Sequence, residues 1–159
     1  MESNIAISPT TLKRDWVNSL FLIFTPIAGL LLLWAHIIYE GFNPKLISGA
    51  VFFYFLCGLS ITAGYHRLIS HRAYKAHPIV KLFFLIFGAG AFQNSALKWC
   101  SDHRRHHAHC DHKLDPYNIN KGFLWAHIGW VMKKEPIDYT PRFGGEMKSD
   151  KLILWQDKY

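Results

Sequence analysis

The chain has 159 residues, half of them hydrophobic and 16% aromatic, with 18% charged and a formal net charge of +7. Soluble domains carry about 25% charged residues, so this composition leans toward a single membrane-associated domain. The positive charge alone would suit a nucleic-acid binder, but long uncharged runs argue against that and place the cations beside anionic headgroups.

Residues 1–16 are polar and close on Lys13, Arg14 and Trp16, an interfacial anchor. No cleavable leader is expected, because the apolar run that follows is too long for one. Val17 to Tyr39 carries no formal charge, and about 20 such residues cross the hydrocarbon core. Pro26 and Gly29 are tolerated there, and His36, near its far end, is read as a packed or interfacial histidine. EGFNPK (40–45) is a turn. Leu46 to Tyr65 gives a second uncharged run, so transmembrane helices are expected at about 17–39 and 46–65. The loop between them holds only Glu40 and Lys45, whereas Lys13, Arg14, Arg67, Arg72, Lys75 and Lys81 flank the other ends. The positive-inside rule then puts both ends of the hairpin in the cytoplasm.

A third apolar run, residues 79–97, is just long enough to span. It contains Lys81, two glycines and Gln93–Asn94. Residues 122–136, GFLWAHIGWVMKKEP, read as an amphipathic helix ending in Lys133, Lys134 and Pro136. Of the cysteines, Cys57 lies in an apolar run and is expected to be buried and inert. Cys110 sits among histidines, but no CxxC supports a zinc site, and the three cysteines set no disulfide framework.

Two histidine groups carry the chemistry. In SDHRRHH, His103, His106 and His107 lie at offsets of 0, 3 and 4, on one stripe of an α-helix. Neutral imidazole is the commonest metal ligand, and a solvated basic face would have no need of it. Arg104 and Arg105 are expected to point away, toward headgroups or an anion. In GYHRLISHRAYKAH, His66 and His71 are five apart, about 140° on a straight α-helix. They converge only if the chain departs from that helix. Both groups can share one centre only if residues 79–97 do not cross the bilayer. An interfacial or re-entrant segment is therefore expected there.

HxxxxH followed by HxxHH, with GYHRLISHRAYKAH, AFQNSALKWCSDHRRHH and DPYNINKGFLWAHIGW around them, resembles the membrane-bound fatty acid desaturase superfamily, in particular its acyl-CoA delta-9 (stearoyl-CoA) branch. The resemblance implies an all-α integral membrane fold, a helical hairpin followed by a cytosolic histidine-rich helical cap, incomplete relative to the family's four spans. It implies a non-haem diiron centre held by His66, His71, His103, His106 and His107. It implies substrate contacts at Asn94 and Asp102, with Lys134 at a basic position suited to an anionic head. Ser101 stands where the family often has arginine. Trp99, Trp125 and Trp130 are tunnel or packing residues. The implied reaction introduces a cis double bond into a saturated acyl chain, from acyl-CoA or acyl-lipid. It consumes dioxygen and two electrons from a separate b-type cytochrome or ferredoxin.

The family's third histidine box and two later spans have no counterpart here. The sequence is thus expected to be the N-terminal part, residues 1–159, of a desaturase domain and inactive by itself. His77, His109, His112 and His127 are not expected to substitute. The expected location is a bacterial inner membrane or the endoplasmic reticulum, with the histidines on the cytoplasmic side. Two other readings stay open: a non-catalytic membrane protein that binds zinc or another metal, and a basic membrane-surface module whose histidines titrate near neutral pH.

Overall fold

The computed structural model describes residues 12–159, and among them the secondary structure is helical, with six α-helices joined by π and 3₁₀ turns. Of the polar tail read over 1–16, residues 1–11 lie outside the described residues. Helix α1 (Trp16–Glu40) opens on Asp15, whose carboxylate accepts from the Asn18 amide at 3.1 Å. It closes at Gly41, where a φ of 79° reverses the chain. Asn43 then caps α2 (Pro44–Leu59) by accepting from the Lys45 and Leu46 amides, with Pro44 in the first turn, where its missing N–H costs nothing.

Within α1 only Ser19 is buried, and within α2 only Cys57. Helices that are apolar all round and leave most of that surface uncovered by protein are matched to lipid rather than water. Both are long enough to cross a membrane, α1 with 25 residues and α2 with its extension, Pro44–Ser70, with 27. The fold is thus an all-helical membrane architecture: a hairpin, then a cap of shorter helices.

The cap begins where α2 loosens. Over Ser60–Ser70 the winding becomes π-helical, long for a form that mostly occurs as single-turn bulges. Helix α3 (Pro78–Ala89) follows, its first turn capped by His77, whose Nδ1 accepts from the Ile79 amide at 3.3 Å. Its 12 residues extend about 18 Å, against a hydrocarbon thickness of about 30 Å. The apolar run 79–97 is broken at Gly90–Asn94, where Phe92 and Asn94 take positive φ of 55° and 71°. Ser95 restarts the chain as α4 (Ala96–His109), its Oγ accepting from the Lys98 amide at 3.2 Å.

The segment 122–136 is shorter as a helix than its sequence suggests. It winds as a π-turn over Trp125–Gly129 and then unwinds. Lys133 pairs with Arg14 in an isolated antiparallel bridge, and the Lys134 amide donates to the Lys13 carbonyl at 2.9 Å. Asp15 and Asn18 reach the Met132 and Val131 carbonyls from the other side. These residues bind the foot of α1 to the cap instead of ending a helix. Helix α5 (Thr140–Gly144), a 3₁₀ turn and α6 (Lys151–Lys158) close the cap.

The core lies among the π segment, α3, α4 and α6, built on Tyr65, Leu68, Phe84, Leu85, Leu97 and Cys100. Two close approaches lock the π segment to α3. A Cβ at Gly64 would overlap Phe84, and one at Gly88 would overlap the Tyr65 ring. Cys57 is a buried free thiol, as its apolar setting suggests.

Candidate metal centre

The π winding decides the first histidine group. Its hydrogen bonds join residue i to i+5, and the His71 amide donates to the His66 carbonyl at 3.0 Å. A spacing of five, which separates side chains on an α-helix, here stacks them on one side, with ring centroids 4.5 Å apart. Arg72 then takes a φ of 51° and turns the chain away.

Helix α4 presents His103 and His107 one turn apart to the same place. The Nε2 of His71 lies 3.1 Å from that of His66 and 3.0 Å from that of His103, and the Nε2 of His103 lies 3.0 Å from that of His107. Hydrogen bonding does not account for this grouping. Each Nε2 has one site in the ring plane, either a proton or a lone pair, yet the Nε2 of His71 and that of His103 each face two others. Four single-site donors converging on one point is the arrangement a cation satisfies, and imidazole suits iron as well as zinc and copper. All four ligand atoms lie within 4.8 Å of one another, so the group can hold a metal ion.

Burial, followed by the neighbouring His107, His66, His71 and His106, pushes His103 down from 6.5 to about 3. His71 is more open, yet partial desolvation, then His66, His107 and Arg104, lowers it as well. Both rings are therefore held neutral at ordinary pH, the form that binds metals. Trp99 stacks on His103 at 5.0 Å, while His71 and His107 remain exposed.

His106 is not in this group. Its Nδ1 lies 2.9 Å from an Asp115 carboxylate oxygen, and its ring stacks on Tyr117 at 4.3 Å. Cys110 lies nearby, with His106 and Asp115 within metal-ligand reach of it. Although Cys110 is exposed, slight desolvation of its thiol and the adjacent Asp111 and Asp115 raise it, which disfavours the thiolate a metal would need. None of the other histidines joins the group. His77 caps α3, His109 meets Phe143, His127 stacks on Phe123, and the His112 carbonyl accepts from Asn118.

Arg104 and Arg105 do face away from the rings, but toward protein. Arg104 donates to the Ser70 and Ile69 carbonyls at 3.0 and 2.9 Å and to Glu146 at 2.7 Å, binding α4 to the end of the π segment. Arg105 is 1% exposed, pairs with Glu135 at 2.6 Å and lies over the Tyr139 ring. Neither role is visible in a linear sequence, where both look like solvent-facing cations.

Two cavities lie beside α4, and one of them reaches the histidines. A charged one of about 740 Å³ has Asn94, Lys98, Asp102, Arg105, Lys133 and Lys134 in its wall. A mainly apolar one of about 720 Å³ runs past Phe21, Phe92, Trp99 and Trp130 to His103. Asn94 and Asp102 line both, so all three sequence-read substrate residues, Asn94, Asp102 and Lys134, face the charged cavity. Asp102 is 3% exposed and accepts from Lys98 through both oxygens, at 2.7 and 2.8 Å. Burial raises its carboxyl, with Lys98 opposing. The Nε and Nη2 of Arg105 are buried without a hydrogen-bond partner. Trp99 and Trp130 line the apolar cavity and Trp125 the charged one, its indole donating to the Pro116 carbonyl at 3.2 Å. Sequence reasoning gave no role to Asp115 or Tyr117, although DPYN lies within the family-like wording.

The chain is 35% identical over 162 residues to acyl-CoA desaturase 1 of Saccharomyces cerevisiae, an alignment covering 98% of this chain and 31% of that protein. It is 34% identical over 147 residues to the sn-1 stearoyl-lipid 9-desaturase of Anabaena variabilis, covering 91% and 53%. It is 39% identical over 118 residues to human stearoyl-CoA desaturase, covering 69% and 32%. No family model matches. The resemblance carried by the histidine boxes is borne out: the chain is homologous to part of the acyl-CoA and stearoyl-lipid desaturases, and spans from 31% to 53% of these relatives' length.

Proposed function

We propose that this chain forms the hairpin, the first two histidine boxes and part of the substrate cavity of a membrane-bound acyl desaturase. The observation that carries the reading is the convergence of four imidazole Nε2 atoms, one of them His103, at the wall of an apolar cavity. His66, His71, His103 and His107 would hold iron, and His106 would offer a fifth imidazole through Nε2. Two irons, with dioxygen and two electrons from a separate carrier of the b-type cytochrome or ferredoxin class, supply the oxidising power to take two hydrogens from unactivated methylenes. Five imidazoles are few for two irons, so turnover is proposed to need ligands beyond these five.

The chain's own contribution is binding and exclusion. The apolar cavity would take a saturated acyl chain, keep water from it and aim one C–H pair at the histidines. The charged cavity would take the anionic head of an acyl-CoA or acyl-lipid. Lys134, on the wall of that cavity, would meet anionic oxygens there, and Asn94 and Asp102 would fix the head where the two cavities join. A double bond at the delta-9 position fits the name of the Anabaena variabilis relative, a stearoyl-lipid 9-desaturase. The centre is proposed to face the cytoplasm, with α3 lying along or re-entering the membrane.

The test is expression of the complete reading frame containing this chain in a host lacking its own desaturase. Elemental analysis of the purified protein and gas chromatography of cellular fatty esters are the readouts. Iron and new monounsaturated chains are expected, and His106→Ala should abolish the double bond. Zinc without iron and an unchanged ester profile would favour the non-catalytic metal-binding alternative.

A further inference from the structure

We propose that the loop Asp111–Asn118 is a clamp built to orient two of the histidines, in which Asp115 holds His106 and Tyr117 holds His103, each by Nδ1. This rests on the metal-centre reading above. It assigns positioning roles to two residues that touch no metal.

The geometry at Asp115 is complete. It is 1% exposed, and a carboxylate so buried persists only when bonded. Its Oδ2 accepts from the His106 Nδ1 at 2.9 Å and from the Asp111 amide at 2.8 Å, and its Oδ1 accepts from the Tyr117 amide at 3.1 Å. An ionised carboxylate only accepts, so His106 must carry its proton on Nδ1. A neutral ring has just one N–H, so Nε2 keeps its lone pair. The same bonds argue against a three-donor metal site of His106, Cys110 and Asp115, because a cation on Asp115 would displace the proton that already joins it to His106.

Tyr117 repeats the device on the neighbouring ring. Its hydroxyl oxygen lies 3.2 Å from the His103 Nδ1, and its own ring is packed between His106 at 4.3 Å and Trp130 at 5.2 Å. With Nδ1–H of His103 donating to Tyr117, Nε2 is again left to face the other three histidines.

The loop is braced without help from the His103 and His106 rings. The Asn118 side chain donates to the His112 carbonyl at 2.7 Å, the Asn120 amide donates to Asn118 at 2.8 Å, and Trp125 donates to the Pro116 carbonyl at 3.2 Å. Pro116 also fixes φ between the two clamping residues. A rigid loop presenting an acceptor to the back of each ring sets tautomer and direction before any metal arrives. Partners of this kind typically change metal affinity 10- to 100-fold.

The decisive measurement is the tautomer of each ring in the metal-free full chain, read by long-range ¹⁵N–¹H correlation NMR of ¹⁵N-histidine-labelled protein in detergent micelles. His103 and His106 should both show a protonated Nδ1 and a bare Nε2. Asp115→Asn should lower the Nδ1–H population of His106 alone, and Tyr117→Phe that of His103 alone. Titration with Co²⁺, followed by its visible spectrum, should show roughly 10- to 100-fold weaker uptake in both variants. A wild-type His106 with its proton on Nε2 overturns the clamp, and this needs no variant to fold. So does unchanged Co²⁺ affinity in both variants when His103→Ala and His106→Ala lower it. Failure of the wild type to take up Co²⁺ would instead count against the metal-centre reading, leaving the tautomer result to decide the clamp.

Discussion

His103 stands where three neighbours crowd it, and the sign of its shift fixes what acid does to the protein. Burial, with the adjacent histidines, lowers it from 6.5 to about 3. The unfolded chain therefore takes up this proton near pH 6.5, while the folded chain refuses it until about pH 3. The stabilisation is full above the unfolded value and is lost as pH falls from 6.5 toward 3. The melting temperature of metal-free protein in detergent should drop across that window. His103→Gln should drop less steeply, and an unchanged slope in that variant would remove His103 as the source. Glu146, held below the usual carboxylate range chiefly by its hydrogen bond from Arg104, contributes in the same direction, so the variant and not the wild-type curve is decisive. The stripe of His103 and His107 was legible from their spacing on a helix. The diversion of His106 was not, because it depends on a loop that returns from nine residues away to place Asp115.

Among the elements, the two apolar runs of the hairpin announce themselves by composition, and Asp15, Asn43, Ser95 and Gly41 mark helix ends in the places their chemistry favours. The convergence of His66 with His71 is hidden from any reading that assumes 3.6 residues per turn, since it exists only through the π winding of Ser60–Ser70. What holds that winding against α4 is also hidden. Arg104 spreads three donors over the Ser70 and Ile69 carbonyls and Glu146, fixing the backbone just before His71. Hydrogen bonds to a charged group contribute about 1.5–3 kcal/mol each. Arg104→Gln should thus destabilise the protein by roughly 2–4 kcal/mol, counting partial replacement by the amide. It should also weaken metal uptake, though it touches no metal. Arg104→Lys keeps the charge but loses the planar fork, and should recover little of either. Full metal affinity in Arg104→Lys would mean that charge, not the fork, sets the distance between the boxes. The close approach of Gly88 to Tyr65 gives a second test. Gly88→Ala should cost about 1–3 kcal/mol by overpacking, measured as a lowered melting temperature.

At the level of the whole molecule, the hairpin and the histidines make one topological argument. Helices α1 and α2 return the chain to the side it left, and α3, at 12 residues, is too short to cross again. His66 and His71 then share a side with α4, as the contacts between their Nε2 atoms require. Lys13, Arg14, Arg67 and Arg72 crowd that same side, a charge bias that supports the proposed cytoplasmic placement. The cysteines offer a built-in probe of this arrangement, because Cys57 and Cys100 are buried and Cys110, just past α4, is exposed. A membrane-impermeant maleimide should label inside-out vesicles and leave intact spheroplasts unlabelled, with the signal lost in Cys110→Ser. Labelling of intact spheroplasts at Cys110 would put the histidines on the outer face, away from cytoplasmic acyl carriers and electron donors. The desaturase reading would then have to find both across the membrane.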